Sequence, residues 1–304
     1  MNFENYIKSK PIEKFSIIIG SGIHFDVIKE FNYLTCWRCL LSSISDRTLI
    51  SSNNLIAFEE IIQEKTKKQN NIECNKIENE LLKRISSKIS KLQDIFMKTQ
   101  DYSKVIKVFN PDYISDVISL NFDTTIETKF REKHKLKCKR RVSNVDFSIK
   151  KYSHTFVYYE YELNKNKIRF WYPHGSIKKP TSLILSNRTY SNYLSVIESV
   201  RKNFKKSEKK INYDSTTTDN ITWVSQLIKN PVIILGASLS YEEIDLWSII
   251  ISRERNFSKK LVKVHRNPIY QMTINQINNV WIDKLFVNDL SYEQQWENLI
   301  EILA

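Results

Sequence analysis

The sequence predicts an α/β fold: a Rossmann-like, mostly parallel sheet of about six strands with helices on both faces. Three observations lead there. Short apolar, β-branched runs recur along the 304 residues, as strands buried on both faces require. Segments whose apolar residues repeat at helical spacing separate them. Only four glycines occur, and each lies at the end of a strand-like run. Glycine is kept where the backbone takes a positive φ or comes close to another group.

Residues 15–19 form the first expected strand, closed by Gly20-Ser21-Gly22, with a helix over about residues 25–41. A mostly helical block runs on to about residue 109. Its clearest helix starts at Asn75 with Glu78 as a capping-box partner, and Ile77, Leu81, Ile85, Ile89, Leu92 and Phe96 share one face. The second strand, residues 117–120, runs into Asn121-Phe122-Asp123. Residues 129–150 are basic and irregular. Residues 155–161 and 168–172 read as strands of a hairpin turning at residues 164–167, and Pro173-His174-Gly175-Ser176 ends the second. Residues 189–206 are helical, with Tyr190, Tyr193, Leu194, Ile197 and Val200 on one face. A short helix at residues 221–229 leads to a strand at 232–235, closed by Gly236-Ala237-Ser238-Leu239. Ser240 then caps another helix with Glu243 three residues on. Residues 261–265 and 285–287 are further strand candidates, and residues 291–303 form a closing helix boxed by Ser291 and Gln294. The expected organisation is one domain over residues 1–304, with a helical insertion at about 45–110. A basic loop plus small β-hairpin insertion occupies about 129–172.

With 41% hydrophobic and 27% charged residues the chain can bury a substantial core. The net charge of +13 comes mostly from dispersed lysines, densest at residues 133–141 and 201–210. Such a field draws in an anionic small ligand; nucleic acid is a possible partner but not the primary one. Four cysteines, no signal peptide and no apolar run long enough for a membrane span predict a reducing cytoplasm and no membrane. Cys36 and Cys39 have redox spacing but lie among Leu34, Trp37, Leu40 and Leu41, which favours packing. No second such pair exists to complete a four-cysteine zinc site.

In a parallel sheet, ligands sit beyond the carboxyl ends of the strands, where all four motifs fall. Gly20-Ser21-Gly22 ahead of a helix can present bare N–H groups to a pyrophosphate, although a tight strand–helix turn needs the same residues. Asn121 and Asp123 should project to one face, either as a turn-capping pair or as groups orienting a ribose and a water. His174, held between proline and glycine, suits proton transfer near neutral pH. His24 and His265 are weaker candidates, for the first turn and for a bound adenosine.

In this order the motifs resemble the sirtuin-like fold, and more closely the sirtuin-like NAD-hydrolase domains of bacterial anti-phage defence proteins. The resemblance spans residues 15–265. It rests on Gly20-Ser21-Gly22, loosely on Leu34, Trp37, Leu40 and Leu41, on Asn121-Phe122-Asp123-Thr124, and on His174-Gly175-Ser176. Gly236-Ala237-Ser238-Leu239 completes it, ahead of an acidic helix start from Tyr241 to Asp245. It implies an NAD glycohydrolase that releases nicotinamide and ADP-ribose, with NAD as substrate and no metal. Asn121 would position the attacking water or the ribose, and His174 would be the general base. Gly20, Ser21, Gly22, Asp123, Gly236 and Ser238 would contact NAD. The zinc cysteines and Pro-Asp-Phe-Arg stretch of protein-deacylating sirtuins have no counterpart, which points away from acyl-lysine chemistry. The first loop also departs from the family's Gly-Ala-Gly-x-Ser. The resemblance further implies an NAD-depleting, abortive-infection effector, silent until triggered, that forms a homo-oligomer or a complex with a companion defence protein. The helical insertion would lid the pocket or mediate self-association. Two alternatives stand beside this: a non-catalytic module that binds NAD or ADP-ribose, and a basic nucleic-acid-associated subunit of a defence complex.

Overall fold

The first apolar run forms β1 (Phe15–Ile19), buried along its whole length, as a strand covered on both faces must be. The structure, a computed structural model, describes residues 3–9, 13–29, 32, 34–46, 48–68, 73–142, 155–208, 221–239, 243–259, 268–272, 282–284 and 291–303. The other strands are β2 (Ile114–Ser119), β3 (Lys139–Val142), β4 (Val157–Leu163), β5 (Asn166–Trp171), β6 (Val232–Leu235), β7 (Ile269–Gln271) and β8 (Asp283–Lys284). Among the described residues they form one sheet in the order β3-β4-β5-β2-β1-β6-β7-β8. β4 pairs antiparallel with β3 and β5; every other adjacent pair is parallel. In chain order the six strands from β5 to β8 lie across the sheet as 3-2-1-4-5-6, the doubly wound Rossmann arrangement. The chain leaves β1 toward β2 and β5, then returns on β1's other side as β6. Between the carboxyl ends of β1 and β6 the winding reverses.

The helices are α1 (Phe3–Ser9), α2 (Gly22–Ile28), α3 (Trp37–Ser42), α4 (Asn54–Lys68), α5 (Cys74–Thr99), α6 (Ser103–Lys107), α7 (Thr125–His134), α8 (Asn187–Glu208), α9 (Trp223–Lys229), α10 (Ile244–Lys259) and α11 (Tyr292–Leu303). Alternation along the strands splits the core in two. Ile17, Ile19, Val117 and Ile233 pack with Phe3, Ile106, Phe130 and Leu299 of α1, α6, α7 and α11. Ile18, Ile118 and Ile234 face the other way, toward Tyr193, Leu227 and Ile249 of α8, α9 and α10. A third cluster belongs to the helices between β1 and β2: Leu41, Phe58, Ile61, Ile77, Leu81 and Ile85, docked on Phe122, Leu183 and Leu185. The helical block therefore presses on the segments that follow β2 and β5.

Several local expectations are corrected. No single helix spans residues 25–41. Lys29 takes a left-handed φ of 59° at the end of α2. Asn32 then folds a turn, accepting from the Leu34 N–H at 2.9 Å and donating its own N–H to Thr35 Oγ1 at 2.8 Å. Cys36 lies ahead of a helix rather than within one: it N-caps α3, its Sγ accepting from the Cys39 N–H at 3.3 Å. The Glu78 capping box does not form. α5 starts at Cys74 with no side-chain cap. Glu78 is buried instead, accepting from Ser186 Oγ and Arg188 Nη2, both at 2.7 Å. A charged partner on α8 outcompetes a local N–H for the carboxylate.

The stretch at 129–150 is not irregular throughout: α7 runs to His134 and β3 covers Lys139–Val142. Other local readings hold. The helical face of α5 buries Ile77, Leu81, Ile85 and Ile89. The hairpin turns at Asn164 and Lys165, with φ of 51° and 69°, the left-handed pair whose twist matches adjoining strands. Its second strand, β5, pairs in parallel with β2 and so joins the central sheet. Ser291 and Gln294 box α11 reciprocally, at 3.2 and 2.8 Å. The expected strands at residues 261–265 and 285–287, the Ser240 cap, Tyr241 and His265 lie outside the described residues.

Candidate active site

Three of the four glycines meet at the winding reversal. The Gly20 N–H donates to the Leu235 carbonyl at 3.0 Å and the Gly22 N–H to the Gly236 carbonyl at 2.8 Å. Gly236 has φ +62°, and a Cβ there would overlap the Ile23 nitrogen. A Cβ on Gly20 would stand 2.8 Å from Ala237 Cα. These glycines are needed because the loops after β1 and β6 cross backbone against backbone. The expectation of a turn offering bare N–H groups is corrected for Gly20 and Gly22, whose N–H groups are engaged by β6 and its loop.

Asn121 and Asp123 follow β2 and diverge in role. Asn121 is buried, and its Nδ2 donates to the Gly20 carbonyl at 3.2 Å, which ties the β2 end to the glycine crossing. Asp123 is buried too. Its Oδ1 accepts from the Thr125 N–H, and its Oδ2 lies 2.9 Å from His24 Nε2. His24, fully buried, reaches the Tyr102 hydroxyl at 3.1 Å through Nδ1. Burial opposes the charge on Asp123, but His24 and the Thr125 hydrogen bonds outweigh it, and the carboxyl is held below its ordinary range. Phe122, between them, stacks edge-on against Trp37 at 4.5 Å. Gln93 of α5 accepts from the Thr124 N–H at 2.9 Å, so the helical block fixes this loop from outside.

His174 stands one bend beyond β5. Its carbonyl accepts from the Ile184 N–H at 2.9 Å, and Gly175, with φ +86°, lets the chain double back against Ser182. His174 Nε2 lies 2.9 Å from Asp245 Oδ2 near the start of α10. Asp245 is fully buried, and its Oδ1 accepts from the Tyr190 hydroxyl of α8 at 2.7 Å. The rings of Tyr190 and Tyr193 flank the imidazole, with centroids at 6.3 and 6.0 Å. Burial works against the imidazolium, yet the charge and hydrogen bond of Asp245, with Glu243 and the Leu120 carbonyl, outweigh it. The histidine pKa is raised above its ordinary value. The Asp245 carboxyl is lowered, since His174 and Tyr190 overcome its own desolvation.

A cleft of about 800 Å³, counting its open mouth, lies beyond these strand ends. Gly20, Ser21, Asn121, His174, Gly236 and Ser238 all line it, with Tyr190 and Glu243. The helical block supplies one wall through Trp37, Asn54 and Leu55. Asp123 lines a smaller neighbouring cavity of about 280 Å³, which shares Ser21, Trp37 and Asn121 with the cleft. Asn121 thus stands where the two meet. Gly22 lines neither cavity and serves the crossing. Sequence reasoning singled out neither Asp245 nor the polar end of Tyr190. The acidic start of α10 was the signal for the first; the second was hidden in an apolar helical stripe.

A doubly wound sheet whose neighbouring strand ends bring an amide, an imidazole and two glycine turns to one cleft defines an α/β protein of the Rossmann type. The family model of the SIR2-like domain matches residues 115–284, more than half of the chain, and the chain belongs to that family. Domains of this kind are often NAD-dependent enzymes. The match takes in Asn121, His174, Gly236 and Asp245 and begins at β2; β1 adds the strand between β2 and β6. No curated protein matches the chain. No helix among the described residues is long and apolar enough to cross a membrane.

Proposed function

We propose that this chain is an NAD glycohydrolase that cleaves NAD with water to nicotinamide and ADP-ribose. The observation that carries the reading is the shared cleft: Asn121 and His174 line one cavity at the winding reversal, in a chain of the SIR2-like family. Nicotinamide leaves as a neutral base from a cationic ribosyl linkage, so its departure builds positive charge at the anomeric carbon. Water adds there and releases one proton. Asn121 aims the water or holds the ribose, and His174 takes the proton. Gly20, Ser21, Gly236 and Ser238 form the floor against which the dinucleotide lies. Asp123, with Asn121, closes the small side cavity. Gly22 acts by keeping the floor in place.

The resemblance to anti-phage NAD-hydrolase domains supports a cytoplasmic, NAD-depleting effector that works as a homo-oligomer or with a companion protein and stays silent until triggered. The contribution of Trp37, Asn54 and Leu55 to the cleft wall supports the helical block as its lid. The test measures nicotinamide release by the purified chain and the NAD pool of cells expressing it, for wild type, Asn121→Ala and His174→Ala. Loss on the order of 10²–10⁴-fold in both variants is expected. Unchanged turnover in both variants would overturn the site, and NAD binding without cleavage in any setting would make the chain a binding module.

A further inference from the structure

The polar chain behind His174 has no part in the roles assigned above. It starts at the Tyr190 hydroxyl, passes through both oxygens of Asp245 and ends on His174 Nε2, at 2.7 and 2.9 Å. Asp245 has no exposed surface, whereas His174 and Tyr190 both line the cleft. A carboxylate buried this deeply is costly unless each oxygen is satisfied, and here each is.

We propose that Asp245, held in place by Tyr190, is the positioning residue for His174, fixing the imidazole with Nε2–H toward the carboxylate so that Nδ1 is the ring atom left to accept a proton. The inference rests on the glycohydrolase reading for the step it serves, but its geometry is independent of that reading. An ionised carboxylate only accepts hydrogen bonds, so the neutral ring must carry its hydrogen on Nε2. Nδ1 then keeps the lone pair. When it takes a proton from the attacking water, the imidazolium sits between Asp245 and the Leu120 carbonyl, both of which favour the charged form. The charged and titratable groups facing the ring are Asp245 and Glu243, from α10 and the segment before it, and Tyr190 and Tyr193 from α8. Both tyrosines are pushed up by burial and remain neutral over the working range. The pH response of the ring is therefore set by burial, which opposes the charge, and by the two carboxylates and the Leu120 carbonyl, which outweigh it.

The test has two arms. Nitrogen NMR of the imidazole in the unliganded full chain should show the hydrogen on Nε2 in the neutral ring and a titration above the ordinary histidine range. Asp245→Asn should bring that titration down and allow the other tautomer, because a carboxamide can donate to Nε2. In the second arm, Asp245→Asn should lower kcat for nicotinamide release on the order of 10²–10⁴-fold. KM for NAD should stay within about twofold, and the alkaline-rising limb of kcat/KM should move to lower pH. Tyr190→Phe should move the same limb by less and toward higher pH, because Asp245 then keeps more of its charge for the imidazolium, and Asp245→Glu should restore part of the rate. Tyr190→Phe also tests the relay if Asp245→Asn does not fold. Hydrogen on Nδ1 in the wild-type neutral ring, or a limb that stays fixed in the folded variants, overturns the proposal. The predicted tautomer in a chain with no NAD turnover would refute the glycohydrolase reading and leave the positioning role standing.

Discussion

Replacing Gly175 by alanine tests how tightly the His174 bend is built. The backbone at this position has φ +86°, where an L side chain costs about 1–2 kcal/mol. The added Cβ would overlap the Ser182 carbonyl, stand 2.5 Å from its carbon and 2.9 Å from the Leu183 nitrogen. The two segments must part. Parting them weakens the reciprocal bonds between Ser176 and Ser182, at 3.1 and 3.3 Å, each contributing about 1 kcal/mol net. The sum is about 3–4 kcal/mol, a fall in Tm of roughly 5–10 °C for a domain of this size. Thermal unfolding of wild type, Gly175→Ala and Gly175→Asn measures it. Asparagine tolerates a left-handed backbone but still carries a Cβ, so it should rescue little. Nicotinamide release should fall in both, because the Ile184 N–H anchors the His174 carbonyl across the same bend. A Tm within 2 °C of wild type would falsify the close approach, and a large difference between alanine and asparagine would assign the cost to φ alone.

Asp116, fully buried on β2, accepts a bidentate pair from Arg169 of β5, both bonds at 2.8 Å, and the Trp171 Nε1–H at 2.8 Å. Asp116→Ala leaves a largely buried guanidinium without its partner and should cost about 3–5 kcal/mol in chemical denaturation; a loss below 1 kcal/mol would show that water replaces the carboxylate. Acid should also unfold the protein through Asp123. Its folded pKa lies below the unfolded value of 3.8, so its contribution is present above that pH and is lost as pH falls through the folded pKa. Melting from about pH 5 down to about pH 2 should therefore show an acid limb, setting in below the unfolded pKa, that Asp123→Asn flattens. An unchanged limb would place the acid sensitivity elsewhere.

The strand ends were legible because their chemistry is local. A glycine after an apolar run, an Asn-x-Asp and a Pro-His-Gly each announce a bend within a few residues. Asp245 was not legible as a partner of His174, since 71 residues separate them and only the fold brings the bend after β5 against the start of α10. The break between α2 and α3 was hidden because a lysine, not a glycine, takes the left-handed position at residue 29. Glu78 matched a local capping rule and was claimed by Ser186 and Arg188 from a distant helix. β7 and β8 span three and two residues, too few to carry a period. The purpose of the glycines was read in part. The first loop looked like an anion cradle, whereas Gly20 and Gly22 keep two backbones in contact.

The order of the strands also governs when the cleft can first be complete. β1 leaves the ribosome well before its second neighbour, β6, although the two pair directly, with Ser16 opposite Val232. Until that late strand has been made and has docked, the floor of the cleft lacks Gly236 and the imidazole lacks Asp245. A translation product that stops before β6 therefore holds neither group, and the cleft is complete only once that strand and the start of α10 are in place.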